Sequence, residues 1–145
     1  AMQEIKPGTG RKLKDGKDIA ILSFGHPGNF AASAIRDVKA EGINPAHYDM
    51  RFVKPLDEEM LHEVFSKYKK VITIEDGTIV GGFGSAVLEF MNEHGYKADV
   101  KIMGIPDRLV EHGTPKQLYD EIGIDANGIA NTLRAMSEVK VSIPV

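Results

Sequence analysis

The 145-residue sequence holds 18 Lys and Arg against 21 Asp and Glu, a net charge of −3, which sets aside the basic footprint of a nucleic-acid binder. Its apolar fraction of 42% and charged fraction of 27% are those of a globular domain rather than a disordered chain, and no apolar run approaches the roughly 18 residues that span a bilayer. There is no cysteine, which excludes disulfides, thiolate metal sites and a cysteine nucleophile and fits a reducing, cytoplasmic setting.

Residues 1–10 read as a tag remnant, with Ala1 ahead of Met2, followed by a polar arm from Ile5 to Gly10 rich in turn formers. One domain is expected over 11–145. Arg11-Lys12-Leu13-Lys14, a turn at Asp15-Gly16, and Asp18 to Phe24 predict a short hairpin. Its second strand is almost continuously apolar, as for a strand covered on both faces. Phe30, Ala31, Ala34, Ile35 and Val38 then keep helical spacing until Gly42 supplies a stop.

His47 to Val53 is strand-like, closed by Pro55, and Asp57 is an N-cap for a helix whose apolar stripe is Met60, Leu61, Val64 and Phe65. Val71-Ile72-Thr73-Ile74 predicts another buried strand, and a helix from about Ser85 to Glu93 turns Val87, Leu88 and Met91 inward. Asp99 to Met103 predicts a further strand. Thr114-Pro115-Lys116-Gln117 has the form of a capping box. Asp125 caps a last helix holding Ile129, Leu133 and Met136. Alternating strands and helices imply an α/β fold in three layers. The sheet is mostly parallel, with about five strands, and the N-terminal hairpin adds one antiparallel edge strand.

The motifs divide into those with a dull reading and those without. Gly81-Gly82-Phe83-Gly84-Ser85 precedes a helix, as a phosphate cradle would. Against that, Val87 stands where the dinucleotide fingerprint needs its third small residue, no Walker lysine follows, and Glu75 and Asp76 lie just upstream. Close helix packing, against a neighbouring domain, is the stronger reading of these glycines. Gly25-His26-Pro27-Gly28 reads as a turn into a helix. None of the five histidines stands three or four residues from another, so no local metal pair exists. Ser66 stands where a zincin needs its second histidine, and Ser85 fails the nucleophile-elbow pattern. Pro106 to Gly113, with Asp107, Arg108 and His112, follows a strand and falls at the carboxyl edge of the sheet, where open α/β sheets place their sites. Those three residues suit anion binding, acid–base work or contact with a partner domain.

Three segments taken in order resemble the C-terminal domain of the transketolase superfamily: Arg51-Phe52-Val53-Lys54-Pro55-Leu56-Asp57; Glu75-Asp76-Gly77 with Gly81 to Ser85; and Gly104-Ile105-Pro106-Asp107 with His112-Gly113. Within the superfamily they look like the branch that joins pyruvate to glyceraldehyde 3-phosphate with loss of carbon dioxide. The closest alternative is the E1 β subunit of a 2-oxo-acid dehydrogenase, which docks a partner subunit, and a free-standing anion-binding module is the alternative outside the family. The resemblance implies a thiamine-diphosphate- and magnesium-dependent parent enzyme whose cofactors lie in two preceding domains. It also implies that this chain serves as a structural and docking domain, with those domains and a second subunit as partners.

The Gly-Asp-Gly…Asn metal motif is broken here, because Glu75 precedes Asp76-Gly77 and no suitable asparagine pair follows. The cofactor-activating glutamate has no counterpart. No catalytic, cofactor-binding or metal residue is therefore expected. The candidate interface or active-site-entrance residues are Glu75, Asp76, Gly81, Gly82, Phe83, Gly84, Ser85, Asp107, Arg108 and His112.

Overall fold

A computed structural model of the chain describes residues 8–25, 27–51, 56–75, 82–104 and 125–137. The apolar run of β2 (Ile19–Phe24) lies at the centre of a five-stranded sheet. It is flanked on one side by β3 (Ala46–Asp49) and then β1 (Arg11–Lys14), and on the other by β4 (Lys70–Glu75) and then β5 (Asp99–Gly104). The pairs β3–β2, β2–β4 and β4–β5 are parallel, and β1 alone is antiparallel, on β3. This is the mixed sheet that the alternation of strands and helices predicts.

Side chains alternate across the strands, so the sheet has two apolar faces. Ile19 and Ile21 of β2 with Ile72 and Ile74 of β4 pack beneath α1 (Gly28–Val38) and the last described helix, α4 (Ala126–Ser137), which contribute Ala31, Ala34, Val38, Ile129 and Leu133. Ala20, Leu22, Tyr48 and Val71 face the other way, onto α2 (Glu58–Lys67) and α3 (Phe83–Glu93) through Leu61, Val64, Phe65, Phe83, Val87 and Phe90. Each of the buried Ile, Leu, Val and Phe side chains contributes on the order of 1.5–3 kcal/mol. Phe90 takes the inward place that spacing gives to Leu88, which is only half-buried.

The hairpin is corrected. β1 pairs with β3, with Arg11 opposite Asp49 and Lys12 opposite Tyr48. Both edges of β2 are already occupied by its parallel neighbours, so no edge is left for a strand from its own N-terminal side. The register slips between Lys12 and Lys14, which leaves Leu13 unpaired and 48% exposed. Gly16 lies so close to the chain before β3 that a Cβ there would stand 2.1 Å from the Ala46 nitrogen.

Helix boundaries follow their caps. Asp57 Oδ1 accepts from the Met60 N–H at 2.9 Å, and its other oxygen accepts from Gly10 N–H at 2.8 Å. Asp125 accepts from Gly128 N–H at 2.8 Å. Gly42, with φ 81°, ends the single 3-10 turn after α1. β3 stops short of the predicted Val53, because Arg51 adopts φ 56°, a left-handed backbone that no strand continues through. Residues 52–55 and the Thr114–Gln117 capping box lie outside the described residues.

Candidate functional site

In a parallel sheet with helical crossovers, the strand C-termini and the N-termini of the following helices gather at one edge. Here that edge carries Phe24, Asp49, Glu75 and Gly104 at the strand ends, with the starts of α1, α2 and α3 above them. Phe24, Glu75 and Gly104 stand side by side in register.

Glu75 is the centre of this edge. It is 3% exposed, and its two carboxylate oxygens accept from the backbone N–H groups of Phe83, at 2.8 Å, and Gly84, at 3.0 Å. A carboxylate on the positive end of a helix is held by charge-assisted bonds and by the helix dipole. These bonds start α3 at Phe83, two residues before the boundary that spacing suggests. They also fill the place a phosphate would need, so the glycine-rich stretch is capped from within the chain.

Gly84 makes the close approach expected of a glycine, and the surface it approaches is the chain's own sheet. A Cβ there would lie 2.7 Å from Ile102 Cγ2 and 2.9 Å from Thr73 Oγ1. The Thr73 hydroxyl is buried, with no hydrogen-bond partner among the described residues. Phe83 is fully buried, its ring centroid 5.7 Å from that of Phe24. Gly82 and Ser85 are half-buried at the rim. The structure thus brings Glu75, Gly82, Phe83, Gly84 and Ser85 together. Asp76, Gly81, Asp107, Arg108 and His112, together with His26, lie outside the described residues.

A second polar element was not anticipated from spacing. Ser23 Oγ and His47 Nε2 are 2.8 Å apart across β2 and β3, both residues buried. Burial holds the His47 imidazole at a pKa of about 4, against 6.5 in water. The Ser23 hydroxyl lies under the start of α1, where a Cβ on Gly28 would come within 3.1 Å of it. A neutral, enclosed histidine with its serine pressed against a helix leaves no approach for a substrate. The pair ties two strands together beneath the Gly25–Gly28 turn. The signals were a serine ending an apolar run and a histidine opening a strand, and each is ambiguous until the strands are paired.

On the outer side of α2 and α3 the fold joins two histidines that are distant in sequence. The ring centroids of His62 and His94 are 4.5 Å apart, and His62 Nδ1 is 2.7 Å from the Tyr96 hydroxyl. Among the described residues no third His, Asp or Glu completes a metal site with them, and no other group of three such side chains occurs.

The described chain matches the family model "Transketolase, C-terminal domain" over residues 8–129. The chain belongs to the transketolase C-terminal domain family. Among its relatives, this transketolase C-terminal domain is 57% identical over 137 residues to a 1-deoxy-D-xylulose-5-phosphate synthase of Cytophaga hutchinsonii, covering 94% of this chain and 22% of the relative. It is 54% identical over 139 residues to that of Bacteroides thetaiotaomicron, covering 95% of this chain and 22% of the relative. A solved split-gene transketolase, described as an inactive β4 tetramer, superposes with a TM-score of 0.84 at 34% identity, over 92% of this chain and 44% of that one. The chain therefore spans about a fifth of the length of the synthases it matches.

The family implies thiamine diphosphate with magnesium. The residues at this edge do not fit that group: the buried acid, Glu75, is committed to two backbone amides, and Asp49 and Asp57 likewise accept from backbone N–H groups of their own chain. No step of the reaction is derived from this chain.

Proposed function

We propose that the chain is the C-terminal domain of a 1-deoxy-D-xylulose-5-phosphate synthase, which joins pyruvate to glyceraldehyde 3-phosphate and releases carbon dioxide. Identity above 50% over nearly the whole chain to such synthases, of which it spans 22%, carries this reading. In it, thiamine diphosphate and magnesium belong to the domains preceding this one, and the strand-end edge packs against those domains in a homodimer. Glu75, Phe83 and Gly84, buried inside the chain, set the shape of that edge. Gly82 and Ser85, with Asp76, Gly81, Asp107, Arg108 and His112, supply its contacts or border the active-site entrance. In this reading residues 1–10 are a tag remnant and the linker from the preceding domain. In this reading the whole enzyme is cytoplasmic; no described helix of this chain is long and apolar enough to cross a membrane.

Reconstitution tests the proposal. A synthase truncated before this domain is assayed for product from pyruvate and glyceraldehyde 3-phosphate, with and without this chain added in trans. Product formation that requires both pieces is expected. Turnover by this chain alone, or full activity of the truncated synthase without it, contradicts the proposal. Capture of the peripheral-subunit-binding domain of a 2-oxo-acid dehydrogenase would point instead to an E1 β origin.

A further inference from the structure

The opposite edge of the sheet, where strands begin and helices end, carries a second feature that the docking role does not use. A cleft of about 530 Å3 lies between the turn before β2, the α2–β4 junction and the end of α4. Its size is in the roughly 300–1,000 Å3 range of small-molecule sites. Among the described residues four lysines line it, Lys17, Lys67, Lys69 and Lys70, and Asp18 is the one acid. On a chain of net charge −3, this is a local excess of positive charge.

Part of that excess has a structural use. Lys67 closes α2 and stands 4.0 Å from Glu63, and Lys70 Nζ donates to the Met136 carbonyl near the end of α4. Both answer the negative end of a helix, about half a unit charge each. Lys17 and Lys69 have no such use among the described residues: neither side chain makes a hydrogen bond or ion pair with one of them. Asp18 offsets one of these two charges, so one positive charge remains in surplus among the described lining residues after both helix ends are accounted for.

The walls are held by backbone. Lys17 N–H donates to the Asn44 carbonyl at 2.7 Å, the Lys69 carbonyl accepts from Asp99 N–H at 2.8 Å, and the buried Tyr68 donates its hydroxyl to the Gly16 carbonyl at 3.1 Å. Ile19 N–H reaches the Lys17 carbonyl at 2.8 Å across Asp18, whose φ is 70°. That is a γ-turn of the rare, strained hand, and strain of this kind persists where the surrounding structure over-determines it, frequently at ligand clamps. The lysines therefore start from fixed roots, which lowers the ordering cost of gathering them round an anion.

We propose that this cleft binds a small ligand carrying two or more phosphate charges, with Lys17 and Lys69 as its principal contacts. Lysine suits the task as a mobile point charge on phosphate oxygens. The site lies at the edge away from Glu75 and the helix starts, so it stands or falls independently of the docking proposal.

Amide chemical shifts of the 145-residue chain, titrated with inorganic pyrophosphate at constant ionic strength, test it. Saturable shifts centred on Gly16–Asp18 and Lys69–Lys70 are expected, and Lys17→Glu with Lys69→Glu is expected to weaken binding at least tenfold. Both side chains are exposed, so the fold is expected to survive. The milder Lys17→Gln with Lys69→Gln is expected to weaken binding severalfold should the charge reversal unfold the chain. Shifts that rise without saturating, that spread equally over Lys12, Lys14, Lys97 and Lys101, or that persist unchanged in the variants overturn the proposal.

Discussion

Glu75 is a charged residue whose use is internal. Its oxygens are the acceptors for two buried amides at the start of α3. Glu75→Ala leaves those donors unpaired and is expected to cost about 2–3 kcal/mol, read by urea denaturation. Glu75→Gln, which keeps one carbonyl oxygen, is expected to cost about half as much. His47 makes a prediction in pH. Its folded pKa of about 4 lies below the 6.5 of the exposed ring, so below pH 6.5 the unfolded chain takes up a proton that the folded chain refuses. Stability conferred by the neutral ring is full above pH 6.5 and is lost as pH falls toward 4, by roughly 2 kcal/mol at pH 5. His47→Gln is expected to remove that share of the acid sensitivity in urea midpoints taken at pH 7 and pH 5; an unchanged pH slope contradicts the assignment. Residue-scale legibility was uneven. Asp57 and Asp125 could be read as caps because an N-cap bonds amides only two or three positions away. The Glu75 cap spans eight residues of chain to Phe83, and the Ser23–His47 bond spans 24, so neither has a local signature.

Among the elements, α3 is the one whose seating depends most on a single small residue. Gly84→Ala puts a methyl against Ile102 and Thr73, two β-branched side chains on neighbouring strands with little freedom to turn away. A loss of about 1–3 kcal/mol is expected in the denaturation midpoint. An unchanged midpoint would show that the helix can slide without cost. Asp57→Ala removes both the α2 cap and the bond to Gly10, and about 1–2 kcal/mol is expected to be lost. The parallel strands and their helices were legible because each has its own period and punctuation. The pairing of β1 was not, because Asp15-Gly16 gives a local hairpin signal. The competing fact, that β3 and β4 already occupy both edges of β2, exists only once the sheet is assembled. Phe90 likewise displaced Leu88 from the core, since a helix spacing fixes which stripe is apolar but not where its centre meets a sheet.

For the whole molecule, the two edges of the sheet have different work. One gathers helix starts around a self-capped carboxylate and is proposed to meet the preceding domains; the other gathers lysines. The resemblance carried by the Arg51–Asp57, Glu75–Ser85 and Gly104–Gly113 segments pointed to the family, and the match over residues 8–129 established it. What the sequence left open on the first edge, at Asp76, Gly81, Asp107, Arg108 and His112, falls outside the described residues, in stretches of sequence where neither period nor cap constrains a side chain. The central claim is that the reaction centre belongs to the neighbouring domains and that this chain shapes their surroundings. Calorimetric titration with thiamine diphosphate and magnesium of the 145-residue chain carrying Lys17→Glu and Lys69→Glu, which removes the proposed diphosphate contacts of the lysine cleft, tests it most directly. No saturable heat is predicted; stoichiometric binding would place a cofactor site within this chain and contradict the account.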